Sequence, residues 1–272
     1  MSRTALILRA CLAAAAALSA LPATALEPAD VFAKVAPSIW EVLVADATGR
    51  PTALGSAVVI GDGLAITNCH VLRGGKQVNV KRGNATFGAR LLYPDVERDL
   101  CQLRIADFHY PAVTIAPSSM LVTGQKVYAI GNPLGFDLTI SEGLISSLRH
   151  DENGQLRAIQ TSAAISQGSS GGGLFDSNAR LVGITSRMVS AAYGQNLNFA
   201  APADWINDVP ARAQKALAEF REAAALRCWT RSNRTRSPYR AATRSAVPSV
   251  EASSTTMIAS RLGTLSAKIG DP

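Results

Sequence analysis

Residues 56–71 read Ser-Ala-Val-Val-Ile-Gly-Asp-Gly-Leu-Ala-Ile-Thr-Asn-Cys-His-Val. Two β-rich runs, Ser56–Ile60 and Leu64–Thr67, flank Gly61-Asp62-Gly63, the spacing and composition of a hairpin. Further short runs follow: Gln77–Lys81, Ala89–Tyr93 and Leu100–Ile105, then a second set over Lys126–Ile130, Leu138–Leu148, Ala158–Thr161, Leu174–Phe175, Leu181–Ser186 and Leu197–Ala200. Many short strands with turn signals between them predict an all-β barrel or sandwich. No helical pattern separates them, which argues against alternating βαβ units.

Helical pattern returns at Pro202–Val209 and Ala211–Leu226, with Pro210 suited to a first helical turn. Ala213, Leu217, Phe220 and Ala224 fall three and four apart, a stripe expected to dock on the β body. Residues 227–272 are rich in Ser, Thr, Ala and Arg without apolar periodicity, and read as a disordered basic tail.

The net charge of +7 suggests a nucleic-acid binder until it is located. The first 25 residues carry Arg3 and Arg9 and no acid; residues 227–272 carry eight Lys/Arg against Glu251 and Asp271. The residues between hold seventeen Lys/Arg and eighteen Asp/Glu, so the folded body is near neutral and no nucleic-acid partner is expected. Residues 1–25 combine the basic start, an apolar run from Cys11 to Leu21 and Ala23-Thr24-Ala25, the pattern of a secretory signal peptide. The run is too short for a typical membrane span, so no stable span is expected after signal removal. A mature chain starting at Leu26, periplasmic or secreted, follows from that reading, and disulfides are permitted there.

Three segments carry candidate chemistry in the order His, Asp, Ser: His70 after Thr67-Asn68-Cys69, Asp99 before Leu100-Cys101, and Ser170 within Gly168-Ser169-Ser170-Gly171-Gly172-Gly173. Each has a bland explanation alone: a structural histidine, a turn-forming aspartate, a flexible linker. Together, in an all-β exported chain, they match what acyl transfer needs. A serine hydroxyl is a weak nucleophile and needs a base, a histidine titrates near neutrality, and a carboxylate fixes the imidazole tautomer. Asp99 shares strand parity with Cys101, Leu103 and Ile105, which predicts a carboxylate facing the apolar side. Asp95, in the preceding turn, and Asp107, at the far end of the strand, are weaker candidates. Gly168 can adopt conformations barred to other residues, letting its N–H and that of Ser170 converge on an oxyanion. No cofactor is required, and no Cys/His set has metal-ligand spacing.

These stretches resemble the HtrA/Deg branch of the trypsin-like serine peptidases. The resemblance runs through Gly55-Ser56, Leu64–Leu72, Asp99–Ile105, Ala129-Ile130-Gly131-Asn132-Pro133-Leu134-Gly135, Ser141–Ser146, Ile159–Ile165, Gly168–Leu174 and Asn198-Phe199-Ala200-Ala201-Pro202, covering about residues 36–209. It implies two six-stranded antiparallel β-barrels within a peptidase domain at 26–226, barrel 1 at about 36–112 and barrel 2 at about 120–203. His70 and Asp99 would come from the first and Ser170 from the second. It also implies a substrate pocket formed by Ala164, Leu197, Asn198 and Phe199. Asn198 stands where the family usually has Gly, and Ser162, Ser166 and Ser169 where it usually has Asp, Asn and Asn. The family often carries PDZ domains; the 46 residues after Leu226 are too few for one, so a stand-alone peptidase is expected. If the triad forms, Cys69 and Cys101 lie on neighbouring segments, where they are either bridged or two buried thiols.

The expected function is an exported serine endopeptidase acting on protein or peptide substrates. Its rivals are a catalytically inactive trypsin-like binding module, an esterase or other acyl transferase, and an adhesion protein working through its tail.

Overall fold

A computed structural model describes residues 25–135, 137–188 and 197–234. The expected signal segment, but for Ala25, and the part of the tail beyond Arg234 lie outside the described residues. The elements in chain order are α1 (Pro28–Val35), β1 (Ile39–Ala45), β2 (Pro51–Gly61), β3 (Leu64–Thr67), β4 (Gln77–Arg82), β5 (Ala85–Asp95), β6 (Leu100–Ile105), β7 (Lys126–Gly131), β8 (Thr139–His150), β9 (Leu156–Thr161), β10 (Gly173–Asp176), β11 (Leu181–Met188), β12 (Asn198–Pro202) and α2 (Val209–Arg234). Short 3₁₀ turns join several of them, notably Cys69–Leu72 and Ala203–Asp208.

The strands close into two six-stranded antiparallel barrels, in the orders β1-β2-β3-β6-β5-β4 and β10-β11-β12-β9-β8-β7. The two-residue period of a strand divides its side chains between two cores. In β2, Ala57 and Val59 fill barrel 1 while Val58 packs into a cluster shared between the barrels. In β7, Val127 and Ala129 fill barrel 2 while Tyr128 and Ile130 join Val58, Ile66 and Leu100 in the shared cluster. The strands nearest the seam are thus apolar on both faces. Gly63 turns the β2–β3 hairpin at φ +63°, as the Gly-Asp-Gly signal predicts.

Two elements at the amino-terminal edge are not among the runs read from the sequence. Helix α1 starts with Pro28 in its first turn and buries Val31 and Val35, one turn apart, in the shared cluster. Strand β1 has six apolar residues in seven and pairs with both β2 and β4.

Helix α2 runs to Arg234, eight residues beyond the boundary at which the basic tail is predicted to begin. No Gly or Pro lies between Ala211 and Ser237, so nothing in the backbone stops the helix where its apolar stripe ends. Ala213 is buried, and Leu217 and Phe220 are half-buried. The helix packs against β5 and β6 of barrel 1.

Barrel 1 is filled by Trp40, which meets Phe108 and Tyr110 edge-on at centroid distances of 4.9 and 4.5 Å, with Phe87 completing the cluster. Trp40 is 1% exposed, and its indole N–H donates to the Pro37 carbonyl. Trp40→Ala is expected to lower stability by about 3–5 kcal/mol. Chemical denaturation checks this; a loss under about 1 kcal/mol would contradict the packing described.

Candidate active site

His70 sits in the 3₁₀ turn that follows β3, and Asp99 in the turn that joins β5 to β6. Antiparallel pairing of Thr67 with Cys101 brings these two chain ends alongside each other. The imidazole Nδ1 lies 2.7 Å from Asp99 Oδ2, and the His70 main-chain N–H donates to Asp99 Oδ1 at 2.9 Å. The Asp99 carbonyl accepts from the Asn68 amide at 2.9 Å and from the Cys69 N–H at 3.3 Å. A disulfide between Cys69 and Cys101, one residue before His70 and two after Asp99, resolves the open alternative in favour of the bridge. Closing its loop, with a sequence separation of 32, contributes about 3–4 kcal/mol in the chain-entropy account.

The strand-parity expectation for Asp99 does not hold. The strand begins at Leu100, and Asp99 precedes it at φ +56°, a conformation uncommon outside glycine. That reversal turns both carboxylate oxygens back towards His70. The two side chains remain 30% and 39% exposed, so the pair opens onto a cleft rather than into the apolar side.

Ser170 lies in the loop before β10, between Gly168 at φ +92° and Gly171 at φ +86°. A Cβ at Gly171 would run into the Ser56 carbonyl oxygen and the Thr67 hydroxyl, so glycine is required there on two counts. The loop is fixed to barrel 2 by the Gly171 N–H on the Thr185 carbonyl and the Thr185 hydroxyl on the Ser169 carbonyl. It is fixed to barrel 1 by Ser56, whose N–H donates to the Ser170 carbonyl and whose hydroxyl donates to the Gly168 carbonyl. Among the described residues, the N–H groups of Gly168 and Ser170 have no hydrogen-bond partner.

Ser186 completes the arrangement. Its hydroxyl donates to Asp99 Oδ2 at 3.0 Å, and its carbonyl accepts from the Ser170 hydroxyl at 2.9 Å. His70 and Asp99 are thus joined directly, and Ser170 is joined to Asp99 through Ser186. A hydroxyl has one proton, so in this state Ser170 gives it to Ser186 and not to His70. Sequence reading gave Ser186 and Ser56 no role at the site; they stand at the ends of strand runs, and Gly55-Ser56 enters only as part of the resemblance.

Of the residues expected to form a substrate pocket, Ala164 lines a described cavity. A cavity of about 100 Å³ lies behind Ser169, lined by Ile130, Gly131, Ser141, Ala164 and Ser166 among others. Leu197, Asn198 and Phe199 do not border it. Asn198 is 5% exposed, and its amide donates to the Ala163 carbonyl at 2.9 Å. Residues 189–196, next to Leu197, lie outside the described residues. Among the described residues no group of three or more His, Cys, Asp and Glu side chains is placed to hold a metal ion.

Two closed β-barrels with a His–Asp pair on one and a glycine-flanked serine on the other define the class of the trypsin-like peptidases. The trypsin-like peptidase domain matches residues 55–184. The chain is 35% identical over 159 residues to a probable periplasmic serine endoprotease DegP-like of Marinomonas sp. (strain MWYL1), covering 57% of this chain and 34% of that protein. It is 35% identical over 157 residues to Protease Do-like 1, chloroplastic, of Arabidopsis thaliana, covering 54% and 36%. Among solved structures, an HtrA-type protease AlgW with tripeptide superposes with a TM-score of 0.59 at 34% identity, over 65% of this chain and 60% of that one. A serine endoprotease from Yersinia pestis gives 0.60 at 27% identity, over 71% and 68%. Residues 55–184 are similar to the trypsin-like peptidase domain, and the relatives and solved structures matched are HtrA-like serine proteases. The chain spans about a third of the length of the curated relatives it matches.

Thiol titration of the denatured protein, before and after reduction, checks the bridge at the site. Of the four cysteines, Cys69 and Cys101 are expected to appear only after reduction, raising the count by two. An unchanged count would contradict the bridge.

Proposed function

We propose that this chain is an exported serine endopeptidase, with Ser170 as nucleophile, His70 as general base and acid, and Asp99 as the carboxylate that orients His70. The observation that carries the reading is the 2.7 Å contact from His70 Nδ1 to Asp99 Oδ2. It leaves the other ring nitrogen, Nε2, to exchange protons with a nucleophile.

In this mechanism the Ser170 hydroxyl turns from the Ser186 carbonyl towards His70 Nε2. Ser170 Oγ attacks the scissile carbonyl carbon as its proton passes to His70. The N–H groups of Gly168 and Ser170 donate to the oxyanion, a contribution worth about 10²–10³ in rate per donor. His70 then gives its proton to the departing amine, which leaves an acyl-enzyme on Ser170. Water, deprotonated by His70, hydrolyses that ester and restores the serine. No metal or cofactor enters any step.

The peptidase unit is assigned to residues 26–226, with Ala164, Leu197, Asn198 and Phe199 flanking the substrate. Protein or peptide substrates are supported by the names of the relatives, and a periplasmic location by those named periplasmic together with the signal-like residues 1–25. One observation favours a second reading. The Ser170 hydroxyl is given to Ser186, as in a resting site or in an inactive binding module on the same fold.

Ser170→Ala is expected to cut peptide hydrolysis by about 10⁴-fold or more and to abolish fluorophosphonate labelling, with the unfolding midpoint preserved. Assays of wild type and variant on a proteome-derived peptide library check this. Equal turnover by the two would overturn the assignment; a wild type that neither turns over nor labels would establish the binding module.

A further inference from the structure

The contacts of helix α2 with barrel 1 converge on one turn. That turn is the four-residue reversal 96–99 between Asp95 and Leu100, which face each other in the β5–β6 register. Its last residue is Asp99. From the helix side, Arg212 donates through Nε to Asp95 Oδ2 at 2.6 Å and through Nη2 to Glu97 Oε2 at 2.6 Å. From the turn side, Arg98 reaches the chain leading into the helix. Its Nη1 lies 3.1 Å from Asp208 Oδ2, and its guanidinium stacks over Trp205 at 4.4 Å. Three of the five residues from Asp95 to Asp99 are thus tied through their side chains to residues 205–212.

The contacts differ in weight. Asp208 is 59% exposed, so its ion pair with Arg98 is screened by water, and the Trp205 face carries more of that contact. The Asp95 side chain is 4% exposed and also accepts the Arg98 N–H at 3.4 Å, so it organises the turn from within. A carboxylate buried to that degree needs a charged partner, and Arg212 supplies it with a directional fork. The same hydrogen bonds hold the Arg212 guanidinium above its ordinary pKa. Asp99, by contrast, keeps a conformation that a non-glycine residue holds only when its surroundings impose it. On one side the imposition comes from Asn68, Cys69 and the disulfide. On the other it comes from α2.

We propose that Arg212 and Arg98 are positioning residues for catalysis, through which the C-terminal helix fixes the turn that aims Asp99 at His70. This rests on the assignment of Asp99 as the orienting acid. Arg212 touches neither His70 nor Ser170 and acts through the backbone of the turn. Misplacing a catalytic group by an ångström costs about 10² in rate, while ground-state binding of substrate is untouched, so the effect falls on kcat.

The test measures kcat, KM and the rate of fluorophosphonate labelling for wild type, Ser170→Ala, Arg212→Gln, Arg212→Lys and Arg98→Gln. Val31→Ala, in the core around α1, serves as a control destabilised away from the turn. Arg212→Gln is expected to lower kcat and the labelling rate at least tenfold with KM within twofold of wild type. Arg212→Lys, which keeps a charge for Asp95, is expected to recover part of that loss, and Val31→Ala to keep wild-type kcat at assay temperatures where it is folded. If Arg212→Gln does not fold, Arg98→Gln leaves the buried pair intact and is expected to lower kcat at least threefold. Full kcat in the folded arginine variants, with an active wild type and an inactive Ser170→Ala, would overturn this inference alone. An inactive wild type would overturn the peptidase reading beneath it.

Discussion

The molecule depends on a seam. Neither barrel holds a complete reactive group, because the His–Asp pair belongs to the first and the serine loop to the second. Ser56 spans the gap. It is fully buried; its N–H donates to the Ser170 carbonyl at 2.8 Å and its hydroxyl to the Gly168 carbonyl at 2.9 Å. The same hydroxyl accepts the Asn132 N–H, and the Ser56 carbonyl accepts from the Thr67 hydroxyl, three residues before His70. One small polar residue therefore links the strand leading to His70, the backbone that carries Ser170, and the start of the β7–β8 connection. Unpaired polar atoms at such depth are costly, so this network sets the relation of the two barrels more sharply than the apolar cluster around it. A hydrophobic contact of the same area would tolerate sliding.

Around that seam the site is held from several directions at once. Ser186 bridges the barrels a second time, through its hydroxyl on Asp99 and its carbonyl on Ser170. The Cys69–Cys101 bridge ties the His70 segment to the strand that follows Asp99. The glycines at 168 and 171 supply backbone conformations that no side chain would tolerate at that closeness. The His70–Asp99 pair stays partly exposed, and its surroundings brace it so that the groups need not reorganise during a reaction.

Much of this was legible in the sequence. The short β runs between Gly, Pro and Asn signals gave the all-β class, the resemblance gave the two barrels, and the Leu64–Thr67 and Leu100–Ile105 runs coincide with β3 and β6. The candidate residues stood out because His70 follows a strand run, Asp99 precedes one, and Ser170 stands among glycines, in the order His, Asp, Ser. What stayed hidden has physical causes. Asp99 was placed by strand parity, but an aspartate only weakly signals a positive φ, so the direction of its carboxylate was missed. Ser186 and Ser56 resemble ordinary strand residues until the opposite barrel supplies their partners. Helix α1 is short, with a single turn between its buried valines, and its signal is little more than Pro28. The end of α2 was placed at the end of its apolar stripe, although helix propensity without a Gly or Pro carries the backbone on to Arg234. The pocket residues were inferred by likeness rather than chemistry, and the bond from the Asn198 amide to the Ala163 carbonyl has no signal in the sequence.

The most direct measurement of the central claim is a crystal structure of the protein treated with a peptidyl phosphonate. The account predicts a covalent bond from Ser170 Oγ to phosphorus, with Oγ moved off the Ser186 carbonyl, His70 Nε2 turned towards it, and a phosphonyl oxygen held by the N–H groups of Gly168 and Ser170. An unmodified Ser170 still donating to Ser186 after prolonged treatment, with His70 and Asp99 in place, would contradict it.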